Sequence, residues 1–258
     1  MKLALVGGKK TKASKGERGI CPSCGSELIA KCGEIKVNHW AHKGTRNCDP
    51  WWESETEWHR SWKKHFPMEW QEEVHKADNG EKHIADVKTE QDWVIEFQHS
   101  YLKPEERRSR NAFYPKLVWV IDGMRRKRDK KQFQKVLEET RVLNREPDIY
   151  EVFFPEECRL LDEWFDSTGL VFFDFQGVKG EPNSNLWFLL PEISDSKAYL
   201  MTISRNNFIK YHQDNRFEKL YKNQISSIRK KLIKKNKKRN KLSPREMRRR
   251  NQKVLNFE

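Results

Sequence analysis

Alternating apolar and polar residues divide the middle of the chain into short strands separated by polar turns. Runs with strand character cover residues 69 to 75, 82 to 88 and 93 to 98, with the turn segments KADNG and TEQD between them. Upstream, ESETEWHRSWKKH at 53 to 65 is helical in composition, and Pro67 closes it. The pattern therefore predicts a helix followed by three strands.

A second helix and a buried strand extend this order. KPEERRSRNAFY opens with Pro104 and two acids, which favours a helix start. KLVWVI at 116 to 121 is an apolar run typical of a buried strand, and 126 to 143 is predicted to be a basic helix. We expect an α/β (α+β) core with the order αβββαβ.

The flanking segments predict three further regions. Residues 1 to 20 show one apolar strand and then GGKKTKASKGERG, which we interpret as a flexible basic linker. LVFFDFQGV, NLWFLLP and AYLMTIS predict an antiparallel group. The predicted division is an N-terminal Cys/His module at 1–50, the core at 51–145, an antiparallel β extension at 146–205 and a basic, mostly helical tail at 206–258.

Composition narrows the class of protein. Hydrophobic residues make up 36% of the 258 residues and charged residues 35%, as expected of a soluble chain that can bury a core. No apolar run approaches the roughly 18 residues that span a bilayer, and the apolar stretch at the start is too short for a signal peptide. We therefore expect a cytoplasmic protein without a membrane partner.

Positive charge is concentrated near the C-terminus. Between Lys219 and Lys253 there are sixteen Lys or Arg and one acid, a net of +15, while the whole chain is +14 and the remainder is therefore −1. Such a block is either an electrostatic contact to nucleic-acid phosphates or a solvated arm. The candidate phosphate-binding residues of the tail are Lys230, Lys231, Lys234, Lys235, Lys237, Lys238, Arg239, Arg248, Arg249 and Arg250.

Four of the five cysteines lie close together in the N-terminal region. In a reducing compartment this spacing favours a metal site over a disulfide bond. CPSCG, with Cys21 and Cys24, has the form of a zinc knuckle. The second pair of zinc ligands stays open. His42 with Cys48 gives a Cys₃His site, and His39 with His42 gives Cys₂His₂. The alternative is a set of reduced thiols without metal, and Cys32 is expected to be a core residue.

Acidic residues on the second and third predicted strands are candidate ligands for a metal ion. Glu96 and Gln98 project from one face of their strand, because side chains alternate along it. Asp86 joins that face only if the turn is odd in length or a bulge intervenes, for example with 86 opposite 94. Neighbouring carboxylates suit Mg²⁺ or Mn²⁺. The alternative is a hairpin with one solvated face.

A polar stripe on the first predicted helix offers a further acid. Glu55, His59 and Lys63 recur at i, i+4 and i+8, so they share one helix face. This stripe is either an exposed face with ion pairs or part of a site with Asp86 and Glu96.

The residues resemble one known family. HIADV, VIEFQHS, EERRSRNAFY and LVWVID resemble competence protein CoiA and its relatives, which look like members of the PD-(D/E)XK nuclease superfamily. CPSC, NHWAHK and ESETEWHRSWK match the family's Cys/His module and first core helix, so the resemblance covers residues 20 to 122. It implies a restriction-endonuclease-like core with a zinc-ribbon-like module.

The resemblance also implies roles for individual residues. Asp86, Glu96 and the Phe97 carbonyl would bind catalytic Mg²⁺ or Mn²⁺, Glu55 would be the helix acid, and His59 would lie with them. Gln98 stands at the superfamily's lysine position, and a neutral amide cannot stabilise charge as lysine does. The possible replacements are His59, Lys63, His83 and Lys88.

The resemblance implies a metal-dependent deoxyribonuclease that acts in DNA uptake and recombination or in defence against foreign DNA. Its partners would be single- or double-stranded DNA, with Lys63 and the tail contacting phosphates, and other DNA-processing or defence proteins. Two alternatives stay open: a nuclease-like fold that binds nucleic acid without turnover, and an RNA- or ribosome-associated factor driven by the tail.

Overall fold

The computed structural model describes residues 1–34, 37–44, 48–49, 51, 55–145, 148–176, 185–191, 197–226 and 229–230. These residues form two β-sheets and six α-helices. No helix among them is long and apolar enough to cross a bilayer.

The small sheet is built from the N-terminal region. Its spatial order is β2-β1-β3-β4-β5, and every neighbouring pair in it is antiparallel. Its strands are β1 (Leu3–Val6), β2 (Lys9–Lys12), β3 (Arg18–Ile20), β4 (Glu27–Lys31) and β5 (His39–His42). The predicted flexible linker is therefore wrong in part. Gly7 and Gly8, with φ of 57° and 79°, form a tight turn that allows β2 to pair with β1.

The large sheet has nine strands in the order β10-β11-β14-β13-β12-β9-β8-β7-β6. Three central strands, β8, β9 and β12, are parallel to one another, and the remaining pairs are antiparallel. The strands are β6 (Gln71–Lys76), β7 (Lys82–Lys88), β8 (Val94–Gln98), β9 (Leu117–Asp122), β10 (Arg141–Arg145), β11 (Asp148–Val152), β12 (Leu170–Asp174), β13 (Asn185–Leu189) and β14 (Ala198–Ser204).

The helices cover both faces of the large sheet. Along β9, Val118 and Val120 pack into one buried apolar cluster with Trp62 and Phe208, while Trp119 and Ile121 pack into the other. Apolar residues on both faces are expected of parallel strands that are covered on both sides. The helices are α1 (Glu57–Lys63), α2 (Pro104–Phe113), α3 (Asp129–Glu138), α4 (Arg159–Trp164), α5 (Arg205–Gln213) and α6 (Phe217–Leu220), the last followed by a π-helical turn.

The predicted order of helix, three strands, helix and strand is observed in α1, β6, β7, β8, α2 and β9. The predicted basic helix at 126 to 143 is too long, because α3 ends at Glu138 and Arg141–Arg145 pairs with β11 as an edge strand. The three strand segments of the predicted antiparallel extension complete the same sheet, since β12 lies parallel to β9.

Candidate active site

The hairpin of β7 and β8 places Asp86 beside Glu96. Val87 pairs with Ile95 and Lys88 with Val94, and the same register puts Asp86 opposite Glu96. Thr89 N–H donates to the Trp93 carbonyl at 2.9 Å, which leaves a loop of three residues. The expected odd-length turn is therefore observed. The expected pairing of 86 with 94 is wrong by two positions, because the loop closes farther along the chain.

Main-chain pairing stops where the two acids meet. The Phe97 amide donates to Asp86 Oδ2 at 3.0 Å, and the Asp86 amide donates to Glu96 Oε1 at 3.3 Å. Each carboxylate thus accepts an amide of the opposite strand. These hydrogen bonds fix both side chains in the lining of a small cavity.

This cavity has a volume of about 60 Å³, enough for an ion or a few waters. It brings together Glu55, His59, Lys63, Asp86, Glu96, Phe97 and Gln98, all of them predicted from the sequence. It is also lined by Met1, Asp49, Trp51, Glu72, Ile84, Arg110 and Tyr114. Glu55 precedes α1, which begins at Glu57 after the Thr56 cap, so the prediction that Glu55 shares a helix face with His59 and Lys63 is wrong. His59 and Lys63 are buried in the cavity wall, which excludes the alternative of an exposed ion-paired face.

Lys63 carries the central positive charge of the cavity. Its ammonium contacts Glu55, lies 3.0 Å from Asp86 Oδ1 and lies 3.3 Å from Glu72 Oε1. The side chain is only 2% exposed, so the prediction that Lys63 contacts nucleic-acid phosphates requires a phosphate that enters the cavity. A buried ammonium requires such acidic partners to offset its desolvation.

Glu72 is a site residue that the sequence did not indicate. It lies on β6 with a φ of 50°, an unusual conformation for a residue other than glycine. Its two carboxylate oxygens accept the amides of Lys2 and Leu3, each at 2.8 Å. Glu72 therefore joins the small sheet to the cavity, which no local pattern in its strand could reveal.

Arg110 is the second cation of the cavity and was also missed. Its guanidinium lies 3.4 Å from Glu96 Oε2 and also contacts Glu106 one turn earlier on α2. It donates to the Trp51 carbonyl at 2.7 Å. The Glu106 and Arg110 pair at i and i+4 was the available signal, but such pairs are common on exposed helices.

The two carboxylates opposite each other differ in their affinity for protons. Burial and the charge of Asp86 raise the pKa of Glu96 to about 8, although Arg110 opposes the shift. Burial also raises the pKa of Asp86, but Lys63 and His59 outweigh it and the net pKa is lowered. The pKa of Lys63 is raised because its three carboxylates outweigh burial. Asp86 is therefore held ionised beside an ammonium.

His59 and Gln98 have defined partners in the cavity wall. The His59 ring accepts the Thr56 amide at its Nδ1 at 3.2 Å, in a capping box at the start of α1. Gln98 is buried, and its amide nitrogen donates to the Ser100 carbonyl at 3.2 Å. Of the other proposed lysine replacements, His83 pairs with Asp49 and Glu81, and Lys88 pairs with Asp92.

A second cluster of ligand-type residues lies in the small sheet. One ligand atom from each of Cys21, Cys24, His42 and Cys48 lies within 4.8 Å of the others. The two buried sulfurs, of Cys21 and Cys48, are 3.9 Å apart. Sulfurs about 3.8 Å apart are expected around a tetrahedral zinc with Zn–S bonds of about 2.3 Å. This arrangement could bind a metal such as zinc.

Of the two ligand sets that the sequence allows, Cys₃His and Cys₂His₂, the cluster matches the first. It contains the Cys₃His combination, while His39 lies outside it and its Nδ1 is 3.0 Å from the Val37 carbonyl oxygen. Cys32 is half-buried and also outside, with its thiol directed at the Ala13 carbonyl. A tight turn, with Gly25 at a φ of 72°, brings the Cys21 and Cys24 thiols together in the cluster.

Closely spaced thiols also differ in acidity. Burial raises the pKa of Cys24, but hydrogen bonds involving Ser26 and His42 outweigh it and lower the pKa to about 6. Burial and the neighbouring Cys21 raise the pKa of Cys48 to about 12. Cys24 is therefore the thiol of this cluster that ionises most readily.

Comparison with known proteins identifies one family. Residues 8–50 match the family model described as competence protein CoiA, N-terminal domain. The match supports a relationship to CoiA. It covers β2 to β5 and all four members of the cysteine and histidine cluster. No curated protein and no solved structure showed a significant match to the chain.

The tail residues proposed to bind phosphates are the remaining candidates. Lys230 is described and exposed. The other nine, from Lys231 to Arg250, lie outside the described residues.

Proposed function

We propose that the protein is a CoiA-like, metal-dependent nuclease that hydrolyses phosphodiester bonds of DNA. The observation that carries the proposal is the convergence of Glu55, Asp86 and Glu96 on one small cavity that also contains Lys63. The order α1, β6, β7, β8, α2, β9 supports a restriction-endonuclease-like core of the PD-(D/E)XK superfamily. The family match over residues 8–50 supports a role in DNA uptake and recombination, or in defence.

The donor set fits a hard divalent cation. Asp86 and Glu96 lie on adjacent strands, and burial together with the charge of Asp86 raises the pKa of Glu96, an effect that a bound cation would oppose. Asp86, Glu96, the Phe97 carbonyl and Glu55 would hold Mg²⁺ or Mn²⁺. Such an ion supplies Lewis acidity toward the phosphate and lowers the pKa of bound water.

The chain's own residues then account for the rest of the chemistry. Lys63 takes the part that the lysine at position 98 has elsewhere in the superfamily, because its ammonium already lies 3.0 Å from Asp86. A fixed ammonium at this point stabilises negative charge on a phosphate bound in the cavity. Gln98, a neutral donor and acceptor, orients water or phosphate oxygens.

Replacement of Asp86 tests the proposal. Asp86→Ala should lower DNA cleavage in Mn²⁺ at least 100-fold while binding in EDTA stays within about 2-fold, because the carboxylate acts on chemistry and not on affinity. Asp78→Ala, an exposed acid in the turn before β7, is the matched control and should cleave normally.

Two outcomes would contradict the proposal, the first for the site and the second for the activity. Full activity in purified Asp86→Ala would show that this cavity is not the catalytic site. Absence of cleavage by the unmodified protein, on plasmid and on single-stranded DNA in Mg²⁺ and in Mn²⁺, would favour a binding protein with a nuclease-like fold instead.

A further inference from the structure

The carboxyl ends of β8 and β9 form an edge beside the cavity that the proposed chemistry leaves unused. Gln98 ends β8 and lines the cavity, and Tyr101 follows three residues later. Three residues span at most about 11 Å, so Tyr101 lies within that distance of the cavity wall. Ligands of α/β sheets commonly bind outside the carboxyl ends of parallel strands.

Two contacts tie the loops after β8 and β9 together. His99 Nδ1 lies 2.8 Å from Asp122 Oδ2, and Asp122 is buried at the end of β9. Arg125 donates to the Ser100 carbonyl at 2.7 Å. The segment from His99 to Tyr101 is therefore fixed against the segment from Asp122 to Arg125, and the residues they expose share one edge.

Both loops present large apolar side chains to solvent. Tyr101 is 55% exposed and Met124 is 43% exposed. Tyr101 has no hydrogen bond or ring partner in the part of the chain that the structure describes. The Met124 amide donates to Asp122 Oδ1 at 2.8 Å, while the Met124 side chain stays exposed. An exposed aromatic side chain close to a polar cavity is available to stack on a bound ligand.

The loop after β9 also carries unpaired positive charge. Lys127, Arg128, Lys130 and Lys131 are exposed and have no ion-pair partner among the described residues. In contrast, the preceding Arg125 and Arg126 are paired with Glu163 and Asp129. Cations in the first turn of α3 oppose its dipole, so helix stability does not account for them.

We propose that this edge, comprising Tyr101, Met124, Lys127, Arg128, Lys130 and Lys131, binds single-stranded nucleic acid and leads it to the cavity. Base stacking on an aromatic side chain combined with backbone contacts to lysine and arginine is the usual way in which proteins hold a single strand. A duplex keeps its bases stacked internally and cannot offer them to Tyr101. The proposal deepens the proposed nuclease function, since it names the strand class, but binding at this edge does not depend on turnover.

The test measures binding of fluorescent oligonucleotides to the full-length protein in EDTA, with single-stranded and duplex DNA of one sequence compared by anisotropy. Tyr101→Ala should weaken single-strand binding about 10-fold, because one stacked base is lost, and should change duplex binding less than 2-fold. Tyr101→Trp should restore the affinity. Phe154→Ala, which removes an aromatic that is 54% exposed elsewhere, is the matched control and should have no effect.

The charged part of the edge is tested by the double change Lys127→Glu and Arg128→Glu. Single-strand affinity should fall, and the dependence of log K on log salt should become shallower by about 0.7 for each lost phosphate contact. The same reversal at Lys9 and Lys12, exposed on β2, is the charge-matched control.

The results separate this inference from the nuclease proposal. Unchanged single-strand binding in Tyr101→Ala, or equal losses for single strand and duplex, overturns the inference whether or not the protein cleaves DNA. A selective loss of single-strand binding supports it even if no cleavage is found, in which case only the nuclease proposal fails.

Discussion

Lys63 differs from its neighbour Lys64 in a way that permits a direct test. Lys63 is buried among three carboxylates, whereas Lys64 is exposed at the end of α1. Lys63→Ala should lower the free energy of unfolding by about 3–5 kcal/mol, because it leaves buried acids without a counter-charge. Urea unfolding at pH 7 measures the change. Lys64→Ala should stay within about 0.5 kcal/mol, and equal effects of the two variants would contradict the cavity geometry.

At the residue scale, the sequence predicted Asp86, Glu96 and Gln98 from the alternation of side chains along their strands. The two-residue period of β7 and β8 restricted Asp86 and Glu96 to one arrangement, and the three-residue loop satisfied it. Glu72 and Arg110 could not be predicted in the same way. Glu72 becomes part of the cavity only because a strand some seventy residues earlier donates two amides to it.

At the element scale, the small sheet depends on its cysteine and histidine cluster. We expect one zinc per chain, held by Cys21, Cys24, His42 and Cys48, since a closed four-ligand site contributes folding energy. Cys24→Ser should lose the metal in elemental analysis and lower the melting temperature. Cys32→Ser, which changes a cysteine outside the cluster, should keep both the metal and the melting temperature. Zinc retained at full stoichiometry in Cys24→Ser would exclude this ligand set.

Helix α5 contains a buried histidine that should make the fold sensitive to acid. Burial lowers the pKa of His212 to about 4, although its hydrogen bond with the Phe208 carbonyl opposes the shift. The unfolded chain, with a histidine pKa near 6.5, therefore binds more protons than the folded protein between about pH 6.5 and pH 4. The free energy of unfolding should fall by up to about 1.4 kcal/mol per pH unit as the pH drops through this range.

Replacement of His212 isolates this effect from other titrating groups. The ring centroids of His212 and Phe217 are 3.9 Å apart in a stacked arrangement. His212→Phe replaces the imidazole with an aromatic ring that does not titrate. The loss of stability between pH 8 and pH 4, measured by urea unfolding, should be smaller in the variant than in the unmodified protein. Parallel pH profiles for the two proteins would show that His212 does not bind a proton on unfolding.

Elements in the second half of the chain show where periodicity is insufficient. Residues 141–143 were predicted to end the preceding helix, but they belong to β10, which pairs with β11 at the edge of the sheet. β10 and β11 form a local hairpin, whose place in the sheet is set by the long-range pairing of β11 with β14. Likewise, among the described strands, it is the parallel pairing of β12 with β9 that joins the C-terminal strands to the central sheet.

At the scale of the whole molecule, positive charge is divided between the folded body and the tail. Residues 231–258 contain twelve Lys or Arg and two acids, a net of +10, so the rest of the +14 chain carries +4. A tail of this charge should bind single strands and duplexes alike, because it contacts phosphates and reads no base. The edge near the cavity, by contrast, is proposed to discriminate between them through Tyr101.

Truncation after residue 230 separates these two contributions. The shortened protein should bind both kinds of DNA more weakly at low salt and show a shallower salt dependence, since most of the released counterions are lost with the tail. Its preference for single strands over duplex should increase, because the unselective contribution has been removed while the edge remains. Anisotropy titrations from about 50 to 300 mM salt measure both quantities. If truncation instead abolishes binding at the lowest salt, the body has no nucleic-acid surface of its own, and the tail-driven alternative would account for all affinity.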